Sequence, residues 1–300
     1  MALRAKSAFL ALTAAFIWGT AFVGQSTLAE VFPPLAINAM RGAIASLTLG
    51  VIILISRGLA KKRGVTPPPQ NKDNLFLGGV VAGTVLTVAA NLQQAGLAYT
   101  SAGKASFITA LYIVLVPLGG LLLKRTVSRH VWLAVGLAGI GLYLISVQGD
   151  FTVEKGDVLI FFCAICFTAH ILVIDRFSQD TDGFCFSCVQ FATSMVLSGI
   201  LSLLTEKIKM PVVPTAEWLL PLLYIAVFSS GIAYTLQILA QKDGDPTLVS
   251  LLLSLESVFG ALSGALLLRE KMNEREIVGC VLMFLAVLLA QLPEKRTQTQ

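Results

Sequence analysis

The sequence predicts an all-α polytopic membrane protein, with ten transmembrane helices arranged as two inverted five-helix repeats around a central cavity. Three observations support this. The 300 residues are 56% hydrophobic and only 13% charged, with a mean hydropathy of +0.81, whereas a soluble chain carries about 25% charge. The apolar residues gather into ten runs, and a helix needs about 20 residues to cross a hydrocarbon core of roughly 30 Å. The second half also repeats the first.

The predicted spans cover residues 8–28, 34–56, 74–97, 102–123, 131–148, 157–174, 184–204, 217–240, 246–268 and 277–292. Arg4 and Lys6 before the first run imitate a signal peptide. The run continues to about Leu28 with no clean small-x-small site and more spans follow, so it reads as span 1. A β-barrel is excluded by the absence of period-2 alternation. Lys and Arg fix the expected orientation. With the N-terminus inside, fourteen lie on the inner side and six on the outer, which predicts cytoplasmic N- and C-termini. The outer loop REKMNERE is the weak point, with three basic residues offset by Glu.

The repeat is read from three matches. FIWGTAFV at 16–23 aligns with FFCAICFT at 161–168, with Phe22 falling on Phe167. Leu92-Gln93 aligns with Leu236-Gln237, and LLLKRTVS at 121–128 with LLLREKMN at 266–273. The two units span 8–148 and 157–292. Five spans is an odd number, so the second unit enters the membrane from the opposite side. This inverted topology is the arrangement associated with alternating-access carriers.

Polar residues within the runs are the candidate site. Glu256 lies inside span 9, where a carboxylate costs several kcal/mol unless it is paired, protonated or facing a wet cavity. It is expected to hold the amine of a solute, take up a proton, or bond a neighbouring helix. Tyr112 of span 4 overlays Glu256 at a spacing of 144, so the two are expected to face each other across the pseudo-two-fold. Asn91, Gln93 and Gln94 cluster in span 3, and Tyr234, Thr235 and Gln237 form the related set in span 8. Some of these should line a water-filled path and others bridge helices. Trp18, halfway along span 1, is too deep for an interfacial anchor; it lines a cavity or packs against Gly19. Arg41 reads as the partner of an intramembrane carboxylate, as the partner of an anionic ligand, or as a residue snorkelling to the interface. Lys104, at the mouth of span 4, is a candidate ion-pair or coupling residue or else simply snorkels to the nearby face. His170 is either a proton relay or a helix-bridging histidine. The faces Gly79–Gly83 and Gly260–Gly264, and the Gly136, Gly139 and Gly141 stripe, mark close crossings within or between protomers, so monomer and homodimer both stay open.

Several function classes are set aside. Basic residues sit in short loops without a basic face, so nucleic acid is not an expected partner. Cys163-x-x-Cys166 and Cys185-x-x-Cys188 resemble metal spacing, but antiparallel helices place Cys166 some 12 Å deeper than Cys185, so they read as packing residues, as does Cys280. No P-loop, HExxH, GxSxG or GxGxxG is present. No enzyme, metal or cofactor is therefore expected. The expected partners are a small-molecule solute, membrane lipids and, if transport is coupled, a proton.

WGTAFV at 18–23, Arg41, LQQAGLAYTSAGKASFITALYIVLVP at 92–117 and SLESVFGALSGALLLREKM at 254–272 together resemble the drug/metabolite transporter superfamily, in its bacterial EamA-like ten-span branch. The last stretch is similar to the family's L-E-P pattern followed by G and then L-x-G-E. Here Ser257 stands in place of the proline and Arg269-Glu270 in place of G-E, so the hinge expected in span 9 loses its kink-forming residue. The resemblance implies two five-helix repeats around a central cavity. It also implies secondary transport, often export, of small metabolites such as amino acids, across a bacterial inner membrane. A scaffold or lipid-handling protein of the same fold is the alternative; it would tie up the polar residues between helices.

Overall fold

The computed structural model describes residues 5–65, 70–100, 102–146, 153–207, 215–267 and 272–292. Among them the regular elements are helices: α1 (Ala5–Ala29), α2 (Pro34–Lys62), α3 (Lys72–Gly96), α4 (Ala102–Thr109), α5 (Tyr112–Leu122), α6 (Arg129–Ser146), α7 (Lys155–Phe177), α8 (Gly183–Thr205), α9 (Ala216–Leu223), α10 (Tyr234–Asp243), α11 (Pro246–Leu253), α12 (Glu256–Leu267) and α13 (Glu274–Ala290), with a π-helical segment, Tyr224–Ala233, joining α9 to α10. They make ten passes, because α4–α5, α9–π–α10 and α11–α12 each form one. Eight passes are long and apolar enough to cross a membrane. The other two, α6 and α13, have 18 and 17 residues, about 26 Å of rise for the shorter. They pack against each other.

Helix ends are specified by polar caps. Pro34 opens α2, where a missing N–H costs nothing. The next two N–H groups, of Leu35 and Ala36, donate to the Glu206 carboxylate at 2.9 Å each, tying α2 to the end of α8. Asn71 caps α3, Asp182 α8, Asp245 α11 and Asn273 α13. α2 runs to Lys62, six residues past its predicted end, and stops at Gly64 with φ +66°. Its last turns carry Lys and Arg, whose stems extend beyond the apolar run.

Packing follows the pseudo-two-fold. α1 lies on α11 and α12, as α7 lies on α4 and α5; α2 meets α8, and α6 meets α13. Small residues permit the closest crossings. A Cβ on Gly141 would sit 2.8 Å from the Gly279 carbonyl oxygen, and one on Gly279 would sit 2.7 Å from that of Gly141. A Cβ on Gly19 would sit 2.5 Å from the Glu256 carbonyl oxygen. Gly79 and Gly83 press on Val189 and Gln190 of α8, so that face is used within the chain. Gly136 and Gly139 make no close crossing among the described residues of the chain, because nothing lies within 4 Å of a Cβ on either. At a helical spacing of 100° per residue they point away from Gly141. The surroundings of Gly264 fall outside the described residues.

Polar contacts close the two ends. At one end Arg125 pairs with Asp175, Lys242 donates to the Thr181 carbonyl, and Lys6 lies 3.5 Å from Asp243. At the other, Thr100 donates to Asp157 at 2.5 Å, and the Lys155 ammonium sits 5.1 Å over the Tyr99 ring. Replacing Gly141 with Val is expected to destabilise the detergent-solubilised protein by about 1–3 kcal/mol through overpacking, lowering its thermal unfolding midpoint. Gly136→Ala should leave that midpoint unchanged within error.

Candidate functional site

Two helices break at matching points. In span 4, α4 ends at Thr109 and α5 starts at Tyr112; in span 9, α11 ends at Leu253 and α12 starts at Glu256. At a spacing of 144 the two breaks coincide. Their turn bonds correspond too: Leu111 N–H to the Ile108 oxygen and Leu255 N–H to the Leu252 oxygen are both 3.2 Å, and Ile113 to Ala110 (3.0 Å) matches Ser257 to Ser254 (3.3 Å). These three-residue bonds tighten the chain locally. No proline lies within either break, although Pro117 sits inside α5 five residues after its start. In span 9 the Ser250 and Ser254 hydroxyls donate to the Thr247 and Leu251 carbonyls, 2.8 Å each, competing with the regular ladder. The break in span 9 is thus present although Ser257 stands where the resemblance leads one to expect proline.

The breaks place Tyr112 and Glu256 at the starts of two half-helices, facing each other. The Tyr112 hydroxyl donates to Glu256 Oε1 at a long 3.4 Å, and Glu256 is only 5% exposed. A helix N-terminus favours negative charge, and discontinuous helices place such ends at carrier binding sites. Ser106 and Ser257 hydroxyls meet at 2.8 Å across the same junction.

Span 8 supplies a second irregularity. Within the π-helical segment the Ser230 hydroxyl donates to the Ile225 carbonyl, five residues back, at 2.8 Å. The segment turns Ser229 and Ser230 toward the interior. The Trp18 indole N–H donates to the Ser229 carbonyl at 3.0 Å, and its ring meets Tyr234 edge-on at 4.8 Å. Arg41 Nε donates to Ser230 Oγ at 2.8 Å. A π-bulge in a helix often marks a functional site.

These groups surround one cavity. Trp18, Arg41, Gln93, Tyr112, Tyr234, Gln237 and Glu256 all line it. Four repeat-related pairs are among its walls: Phe22 with Phe167, Gln93 with Gln237, Thr109 with Leu253, and Tyr112 with Glu256. The cavity thus straddles the pseudo-two-fold. Its void is about 50 Å³, room for ~3–5 waters at ~10–15 Å³ each, so this conformation is narrow.

Other predicted residues lie elsewhere. His170 is fully buried behind the wall; it bonds Gln190 at 3.2 Å, bridging α7 to α8, and meets Tyr234 edge-on at 5.7 Å. Asn91 bridges Asn38 and Ser198, and the Gln94 amide donates to the Gln25 carbonyl. The Lys104 side chain falls outside the described residues. The cysteines sit among helices, Cys185 accepting from Arg57 at 3.3 Å and Cys188 donating to the Ser46 carbonyl at 3.5 Å.

The profile of the EamA-like transporter family matches residues 5–147 and again 154–292. The chain belongs to the EamA-like transporter family. A protein of Archaeoglobus fulgidus described as an uncharacterized transporter is 30% identical over 279 residues, which is 93% of this chain and 83% of that protein. The uncharacterized transporter YyaM of Bacillus subtilis is 23% identical, over 90% of this chain and 89% of its own length. A crystal structure at 18% identity superposes with a TM-score of 0.76, covers 96% of both chains and shares the fold of this chain.

Gln25, Phe22, Thr109, Phe167, Ile171, Ser229 and Leu253 also line the cavity but were not singled out. The repeat match of Phe22 on Phe167 already pointed to two of them. Ser257→Pro should leave the EamA-like fold intact, because the residue sits in the first turn of α12, where proline is tolerated. Its loss of the Ser106 bond should cost about 1 kcal/mol, whereas Ala261→Pro, deeper in α12, should cost ~3 kcal/mol or more. Thermal unfolding of both variants checks this.

Proposed function

We propose that this chain is a secondary carrier that exports small metabolites, such as amino acids or related compounds, across the cytoplasmic membrane by alternating access. Both termini lie on the cytoplasmic side, and the units 8–148 and 157–292 rock against each other around the cavity. The observation that carries this reading is the polar cavity on the pseudo-two-fold, walled by repeat-related residues and two broken helices. Inverted repeats allow two conformations of equal architecture, each opening the same site to one side. A scaffold has no need of a wet chamber at mid-depth, where every exposed polar group is costly.

Within this reading Trp18, Tyr112, Tyr234, Gln93 and Gln237 hold the solute. Glu256 carries the charge that changes during the cycle: it takes up a proton on one side and releases it on the other. The long bond from Tyr112 leaves the carboxylate free to do so. His170, behind the Tyr234 ring, serves the helix bridge rather than the solute.

Glu256→Gln is expected to insert and fold normally but to lose proton-coupled uptake into proteoliposomes. Uptake at the normal rate with the normal pH dependence would sink the role. Single cysteines at positions 93, 112 and 237, in a cysteine-free background, should react with an impermeant thiol reagent from one side at a time. Solute should change which side. Reaction from neither side under any condition favours a scaffold.

A further inference from the structure

A buried polar seam runs along α8. Ser187, Gln190, Ser194, Ser198 and Ser202 recur every three or four residues, each 4% exposed or less, and Glu206 ends the series at the membrane face. At this spacing they form one stripe on the helix, and α8 packs on α2 and α3. From Ser187 to Ser202 the stripe rises about 22 Å, most of a hydrocarbon core of roughly 30 Å. Near Glu206 its links are direct hydrogen bonds. The Ser202 hydroxyl donates to Glu206 at 2.7 Å, the Asn91 amide to Ser198 at 3.1 Å, and the Asn38 amide to Asn91 at 2.9 Å. Deeper in, four buried atoms have no partner among the described residues: Asn38 Oδ1, Gln190 Nε2, Ser187 Oγ and Nδ1 of His170, whose Nε2 meets Gln190. Orphaned polar atoms of this kind call for water. Asn38, Arg41 and Ser194 also wall a second void of about 10 Å³, room for about one water. A seam that takes up water across most of the membrane is a path for protons, and in a proton-driven carrier it would dissipate the gradient.

Arg41 stands where that path is half-way, beside Ser194. Its side chain is 7% exposed and pairs with no carboxylate among the described residues, so it neither snorkels nor neutralises an acid. Its Nε donates to Ser230 Oγ at 2.8 Å, and that hydroxyl is held in turn by the Ile225 carbonyl of the π-helical segment. Arg41 lines both the second void and the main cavity, so its guanidinium belongs to the wall between them. An arginine in an ion pair presents little net charge; an unpaired one is a fixed positive charge. Such a charge beside a polar path turns back protons and cations while water stays in place. At an effective ε of ~20, a proton ~5 Å away is disfavoured by about two orders of magnitude. We propose that Arg41 is an electrostatic barrier that keeps the α8 seam from conducting protons. The barrier needs no solute, and it goes beyond the carrier reading rather than resting on it.

The test uses the purified full-length chain in liposomes loaded with a pH-sensitive dye, with no solute present and the membrane potential clamped. After a pH step, wild-type liposomes should equilibrate no faster than protein-free ones. Arg41→Gln should raise the proton leak about 10- to 100-fold, while Arg41→Lys, which keeps the charge, should stay within about two-fold of the wild type. Arg41→Met, neutral and of similar length, serves if Arg41→Gln does not fold. Asn38→Leu in the Arg41→Gln background removes the unpartnered oxygen from the seam and should return the leak to the wild-type level; Ser194→Val serves if that double variant does not fold. A leaking wild type, no leak in either neutral variant, an equal leak in Arg41→Lys, or a leak that also releases sodium or the dye overturns the proposal. So does a leak that Glu256→Gln abolishes and Asn38→Leu does not, because it runs through the cavity. Thiol labelling at position 112 separates the barrier from the carrier reading. A reactive position without a leak in the neutral variants overturns the barrier alone, and an unreactive position with the leak overturns the carrier reading alone.

Discussion

A carboxylate at mid-depth is the constraint around which this molecule is arranged. Glu256 cannot face hydrocarbon without a cost of several kcal/mol. Its surroundings answer that cost in steps. The helix breaks immediately before it, so the residue sits in a first turn whose N–H groups favour negative charge. Gly19 lets α1 approach so closely that no side chain fits between it and the Glu256 backbone. The phenol of Tyr112, presented by the matching break in the other repeat, supplies a hydrogen bond. The rest of the cavity leaves room for a few waters within reach.

The pseudo-two-fold builds the chamber, and departures from it supply the chemistry. Phe22 and Phe167, and Gln93 and Gln237, give symmetric walls. At other equivalent positions the repeats differ: Tyr112 answers Glu256, Trp18 answers Cys163, and Gln25 answers His170. Trp18 fills the space beside the π-helical segment and bonds its carbonyl, while Cys163 is a small buried packing residue. In the proposed carrier cycle the symmetric shell would permit two equivalent conformations, and the asymmetric lining would decide which solute and charge they serve. The EamA-like family membership fits this division, since a shared shell can serve many linings.

Much of this was legible in the sequence because membrane physics leaves strong marks. Run lengths predicted the ten passes, and short motif matches predicted the repeat that the packing of α1 on α12 and α7 on α4 and α5 now displays. The rule that mid-span polar groups must find water or partners picked out six candidate cavity residues, Trp18, Gln93, Tyr112, Tyr234, Gln237 and Glu256, and all six line the cavity, together with Arg41, whose role the sequence left open. The breaks in spans 4 and 9 were not legible. No proline lies within them, Pro117 falling five residues after the start of α5, and serine hydroxyls competing for backbone carbonyls are common in helices that do not break. Nor was the π-helical segment, since IAVFSSGIA reads as an ordinary apolar turn until Ser230 is seen to satisfy a carbonyl five residues back. Thr109, Leu253 and Ile171 went unnoticed for a similar reason: apolar and small residues in apolar runs carry no signal until a neighbouring helix leaves a gap beside them.

The central claim is that one chamber is exposed alternately at its two ends. Double electron–electron resonance in liposomes tests it most directly. One spin-label pair at Glu30 and Val153 spans the end where α1 finishes and α7 begins, and another at Lys124 and Asp180 spans the end where α5 and α7 finish. The account predicts two distance populations for each pair, with the distances at one end lengthening as those at the other shorten when solute or pH is changed. A single unchanging distance at both ends, across solutes and pH, would contradict it.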